Sequence, residues 1–142
     1  MNEAIAAANF SRWNAALLTG DPSKVVDLYA DNLTLLPTMQ AKTISNCDGA
    51  EKYFALFGSF HPTVEILEQF VIPISAESYL HCGVYRFMVD AKKGGREPLD
   101  ARFSFIWKKH GATWEILHHH SSRVLHVTDD ERLVNGKFGS SW

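Results

Sequence analysis

The chain has 142 residues, 46% hydrophobic and 21% charged, which suits one packed domain and excludes a disordered or fibrous chain, a complete kinase or a two-domain dehydrogenase. Lys and Arg number 14 against 16 Asp and Glu, so the net charge is −2, without the excess of base that nucleic acid binding uses. Cys47 and Cys82 form no CxxC and read as small buried thiols in a reducing compartment. The opening MNEAIAAANFSRW has Glu3 before any base and no apolar run long enough for a signal segment, and no stretch approaches the ~20 apolar residues of a membrane span. The expectation is a cytoplasmic protein with no membrane partner.

Residues 3–18 place Ile5, Ala8, Phe10, Trp13, Ala16 and Leu17 on one face of a helix that ends at Gly20. Asp21-Pro22 is an N-cap and first-turn pair, opening a short second helix with Val25, Val26, Leu28 and Tyr29 that stops near Asp31. LTLLP, 33–37, is a β-rich run, and an extended piece around Thr43 and Ile44 completes a small edge hairpin. Asp48 is placed as the cap of a third helix reaching Phe60, carrying Tyr53, Phe54 and Phe57 before the His61-Pro62 break.

Four long strands follow, at 64–74, 78–91, 99–109 and 113–124, joined by short connections; KKGGRE and HGA supply the glycines of tight hairpins. Helices first and a meander afterwards predict an α+β domain over 1–127: three N-terminal helices packed on a curved, mainly antiparallel sheet that makes a cone, with 128–142 as an arm or tail. Alternation puts Phe103, Phe105 and Trp107 on one strand face, and the expectation is that a second copy of the chain covers this aromatic side.

The densest polar cluster is His118, His119 and His120 in WEILHHHSS. Strict alternation groups His118 and His120 with Trp114 and Ile116, and His119 with Glu115, Leu117 and Ser121. One or two of these imidazoles can then face a pocket and serve as general acid or base, His119 being the catalytic candidate. Two same-face histidines do not make a metal site, and neither HExxH nor a Walker loop is present, so no metal or cofactor is expected. Arg86 and Arg102 lie in apolar strand sequence, where a guanidinium needs Asp100, Glu115, a neighbouring subunit or a ligand carboxylate. Tyr85 points opposite to Arg86 unless a bulge intervenes, and Trp13 and Asn14 add an indole and an amide from the first helix.

The series FSRWNAALLTGDPSKVVDLYADNLTLLPT, the YF helix, GVYRF, ARFSFIW and WEILHHHSS resembles the nuclear transport factor 2-like superfamily. Within it, the order of motifs over roughly residues 8–125 is similar to stand-alone bacterial relatives of the association (hub) domain of calcium/calmodulin-dependent protein kinase II. The resemblance implies a cone of curved sheet around three helices, an interior small-ligand pocket and homo-oligomeric assembly through the open sheet face. It implies no kinase activity, since the 142 residues hold no kinase segment. The animal hub pocket binds small carboxylates through arginines and a histidine. Its HFHRS strand stands where this chain has HHHSS, so Ser121 replaces one arginine, Phe105 another, and Ala50 lies near the position of the histidine. Arg102 and Arg86 are the neighbouring cations that rebuild an anion site, and Trp13, Asn14, Tyr85, His118 and His120 complete the ligand-binding set. Ketosteroid isomerase, scytalone dehydratase and SnoaL-like cyclases share the same fold. Two functions follow: a non-catalytic homo-oligomeric module binding a small carboxylate or apolar molecule, or a cofactor-free isomerase, cyclase or hydratase with His119 as acid or base and Tyr85 or Arg102 orienting the substrate.

Overall fold

In chain order the elements are α1 (Glu3–Leu18), α2 (Pro22–Val26), β1 (Tyr29–Leu36), α3 (Cys47–Gly58), β2 (Thr63–Ser75), β3 (Ser78–Asp90), β4 (Arg96–His110) and β5 (Thr113–Arg123). The computed structural model describes residues 3–125, so the arm-and-tail reading at 128–142 and the domain end at 127 lie outside the described residues.

The helices start where side-chain oxygens can satisfy orphan backbone donors. Asp21 accepts from the Ser23 amide at 3.0 Å with Pro22 in the first turn. The third helix is capped by Asn46 rather than Asp48: Asn46 Oδ1 accepts from the Gly49 amide at 2.7 Å, and Asp48 falls in the first turn, where a carboxylate meets the positive end of the helix dipole. Tyr29 is not helical but opens β1, because its backbone is drawn into pairing with Ile116 of β5. The hairpin expected around Thr43 and Ile44 reduces to one antiparallel bridge, Leu35 with Ile44.

The five strands form one sheet in the order β1-β5-β4-β3-β2, antiparallel from β2 to β5, with β1 added in parallel to β5. Register divides its two faces. Rows Val71–His81–Phe105–His119–Leu35 and Tyr79–Trp107–Ile116–Tyr29 face the helices. Rows Ile72–Leu80–Ile106–His118–Thr34 and Phe70–Cys82–Ser104–His120–Leu36 face away from them. Phe103, Phe105 and Trp107 therefore lie inside, where Phe10 and Trp13 of α1 contact Phe103 and Phe105 and Trp107 packs beside Phe105; their burial is complete within one chain, which corrects the expectation of a second copy there.

Two bulges bend and rephase this sheet. In β2 the register shifts between Ile66 and Glu68, beside Gly83 of β3. A Cβ on Gly83 would stand 1.9 Å from the Glu68 carbonyl oxygen, with φ at +153°, so only glycine lets the two backbones approach this closely. Gly83→Ala is expected to destabilise the fold by about 1–3 kcal/mol through backbone strain, read as a lower midpoint in urea unfolding. An unchanged midpoint would refute the role given to this bulge.

In β5 the bulge residue is Leu117: Trp107 pairs with Ile116, yet the preceding Ile106 pairs with His118. The extra residue inverts the alternation. Ile116, His119 and Ser121 consequently share the inner face, and His118 and His120 the outer, which replaces the grouping expected from an unbroken strand.

Candidate functional site

The interior of the cone is built around one histidine. His119 is 2% exposed, lies nearly parallel to Phe105 with centroids 4.0 Å apart, and meets the Trp13 indole edge-on at 5.4 Å. Both of its nitrogens are engaged: Nδ1 lies 2.8 Å from the Tyr29 hydroxyl and Nε2 lies 3.1 Å from the Tyr85 hydroxyl.

The proton positions follow from the fixed donors. Trp13 Nε1–H can only donate, and it donates to Tyr29 Oη at 3.2 Å, so Tyr29 is free to donate its own proton to His119 Nδ1. Tyr85 donates to Ser121 Oγ at 2.6 Å, so at His119 its oxygen must accept, which places the imidazole proton on Nε2. Ser121 continues the run to Thr38 Oγ1 at 2.5 Å. The chain Trp13, Tyr29, His119, Tyr85, Ser121, Thr38 thus has one consistent polarity with a neutral imidazole at its centre. Burial, reinforced by the neighbouring His118 and His120, holds the His119 pKa well below the usual histidine range. Burial likewise pushes the Tyr29 and Tyr85 hydroxyls up, so both remain protonated donors.

The cavity enclosed by Trp13, Tyr53, Tyr85, His119 and Ser121 measures about 10 Å3, room for about one water. Among the described residues no charged side chain lines it.

Of the residues singled out in the sequence, Trp13, Tyr85 and His119 meet in this interior. Asn14 is half-buried on α1, its Oδ1 having no hydrogen-bond partner among the described residues. His118 lies on the outer face and bonds Thr34 Oγ1 at 2.6 Å, and His120 is exposed on the same face. Arg86 also points outward, forming a two-pronged pair with Asp100 at 2.7 and 3.0 Å that lowers the Asp100 carboxyl pKa. Arg102 is exposed on the outer face, opposite Val84 and Ser122. Neither arginine enters the cone, because both alternate out of phase with the inward Tyr85, Ala101 and Phe103.

Three members of the network were not singled out as ligands in the sequence: Tyr29, Thr38 and Ser121. Ser121 carried a signal, two residues from His119 on a strand. Tyr29 carried none while it was read as helical, and Thr38 reaches the site from the loop after β1.

Among the described residues, no group of three or more His, Cys, Asp or Glu is placed to hold a metal ion, and no helix is long and apolar enough to cross a membrane. Helices inside a curved five-stranded sheet, with a polar network at the closed centre, define a cone of the nuclear transport factor 2-like, cystatin-like class. A nuclear transport factor 2-like protein from Salmonella enterica superposes with TM-score 0.70 at 15% identity, over 84% of this chain and 89% of its own. Within that class the chain belongs to the calcium/calmodulin dependent protein kinase II association domain family, whose sequence profile matches residues 2–124. A candidate association domain from Xanthomonas campestris is 36% identical over 89% of this chain and 91% of its own, with TM-score 0.86. The hub homology domain of the Chlamydomonas reinhardtii kinase is 16% identical over 87% of this chain and 98% of its own, with TM-score 0.73. Comparison with curated proteins found no match.

Proposed function

We propose that this protein is a homo-oligomeric association module of the cytoplasm, without kinase activity, that assembles through the outer face of its sheet. The observation that carries the reading is the apolar outer face itself. Ile72, Leu80 and Ile106 lie side by side on it, extended by Phe70, which is 56% exposed, and by Ile74 at the end of β2. No helix of the described residues covers these side chains, and a patch of this kind is what a monomer avoids exposing. The names association domain and hub carried by its relatives support the same reading.

The interior supports assembly over catalysis. A general base needs a lone pair aimed at substrate, whereas His119 spends Nδ1 on Tyr29 and Nε2 on Tyr85, beside a cavity of about 10 Å3. That cavity also lacks the cation a buried carboxylate requires.

Light scattering behind size exclusion is expected to give the wild-type protein several times the mass of one chain at micromolar concentration. The double variant Phe70→Asp, Ile72→Lys is expected to fall to the mass of one chain while keeping its thermal transition, since both side chains are already exposed in the single chain. A wild-type protein that runs as a monomer would refute assembly altogether, and a double variant of unchanged mass would move the interface elsewhere.

A further inference from the structure

Where the loop after β1 crosses the end of β5, a cleft of about 330 Å3 opens on the rim of the cone. It is separate in volume from the closed interior, though Thr38 and Ser121 form part of both walls. Among the described residues its lining is one-sided in charge: Lys42 from the loop and Arg123 from the end of β5 line it, and no carboxylate does. Lys42, Arg123, Gln40, Thr43, Ser122 and His120 make no side-chain hydrogen bond or ion pair among the described residues, so the cleft is a set of uncommitted donors. Elsewhere on the sheet Arg86 is matched by Asp100 and Arg96 by Asp90.

We propose that this cleft binds a small phosphomonoester. Two permanent cations match the charge of ≈ −1.5 to −2 that such a group carries near neutrality, and guanidinium, ammonium, hydroxyl and amide donors line the same cleft, the donor types that phosphoryl oxygens accept from. The volume exceeds what inorganic phosphate fills and falls at the small end of ligand sites, about 300 Å3. Ser121 and Thr38 in the floor are held in place by the buried chain from His119, so part of the cleft is preorganised. The lining comes from one chain, and His120, Ser122 and Leu36 in it belong to the outer face proposed for assembly, so the mass of the particle is measured in the same buffer with and without ligand.

Isothermal titration of the full chain at low ionic strength, with inorganic phosphate, glycerol phosphate, succinate and acetate as probes, tests it. Glycerol phosphate is expected to bind one per chain, more tightly than phosphate or succinate, with acetate silent. Lys42→Ala and Arg123→Ala are each expected to weaken binding by about tenfold, the loss of one charge-assisted contact. Arg102→Ala is expected to leave binding unchanged; Arg102 lines the adjoining outer-face cleft, which also borders His120 and Ser122. Thermal unfolding of each variant confirms that it folds. Absence of binding to wild type, succinate binding as tight as glycerol phosphate, or loss of binding in Arg102→Ala with retention in the other two would overturn the proposal.

Discussion

Trp13→Ala is expected to cost about 3–5 kcal/mol, a large part of the stability of a domain this size. Trp13 is 1% exposed and joins helix to sheet: it stacks on Tyr85 at an interplanar angle of 3° and meets Phe105 edge-on at 5.4 Å. Truncation removes those contacts and the only obligate donor of the interior chain, so Tyr29 loses the N–H that fixes its orientation. Trp13→Phe retains most of the ring packing and loses the donor alone, and is expected to cost distinctly less. Urea unfolding of both variants separates the two contributions. A loss below about 1 kcal/mol for Trp13→Ala would mean that this indole does not hold α1 to the sheet.

The second large effect is loss of stability in mild acid. His119 and His81 are held neutral by burial, and His118, also lowered by burial, sits against Thr34. Their folded pKa values lie below the ordinary value near 6.5, so the unfolded chain takes up protons first as pH falls. Stability is therefore full above pH ~6.5 and declines below it, by up to about 1.4 kcal/mol per pH unit for each histidine that is neutral when folded and charged when unfolded. The decline for each ends when its folded pKa is reached.

His119→Phe isolates the central contributor. At pH 8 the variant is expected to be about 1–3 kcal/mol weaker, because the Tyr29 hydroxyl loses its acceptor inside the core. Between pH 6.5 and 5 its stability curve is expected to be flatter by about one proton, so the gap to wild type narrows or reverses. Unfolding free energies measured at several pH values read this directly. Parallel curves for variant and wild type would show that His119 titrates alike in both states, contrary to its enclosure.

Much of this molecule is legible from residue patterns because the relevant forces are local. The Asp21-Pro22 start of α2, the apolar face of α1 and the Gly-rich turns before β4 and β5 depend on capping, periodicity and φ preference, each confined to a few residues. Helix α3 shows the limit: Asn46 and Asp48 are both good caps, and which one serves depends on where Leu35 holds Ile44 by its backbone. The inner aromatic rows were visible as a period-2 pattern in β4, but a pattern does not say whether a helix or a second chain covers it.

The site was half legible for the same reason. Trp13, Tyr85 and His119 stood out as aromatic and titratable residues in apolar surroundings. The bulge at Leu117, which decides that His119 rather than His118 faces the interior, leaves no mark in the order of side chains, because it arises from how β5 pairs with β4 and β1. Arg86 and Arg102 were candidates for the interior site, and the sheet places both on the outer face, where Arg86 is paired with Asp100.

By itself, then, the sequence determined the α+β class, the positions of the helices and long strands, and the family, all of which rest on short-range propensity and motif order. Only the tertiary structure decided which face of each strand looks inward and which hydroxyls reach His119. It also placed the two cations of the rim cleft together. Lys42 and Arg123 are 81 positions apart in the chain and line one cleft only because β1 lies parallel to β5. Such placements are set by backbone pairing between distant segments, and one extra residue in a strand is enough to invert them.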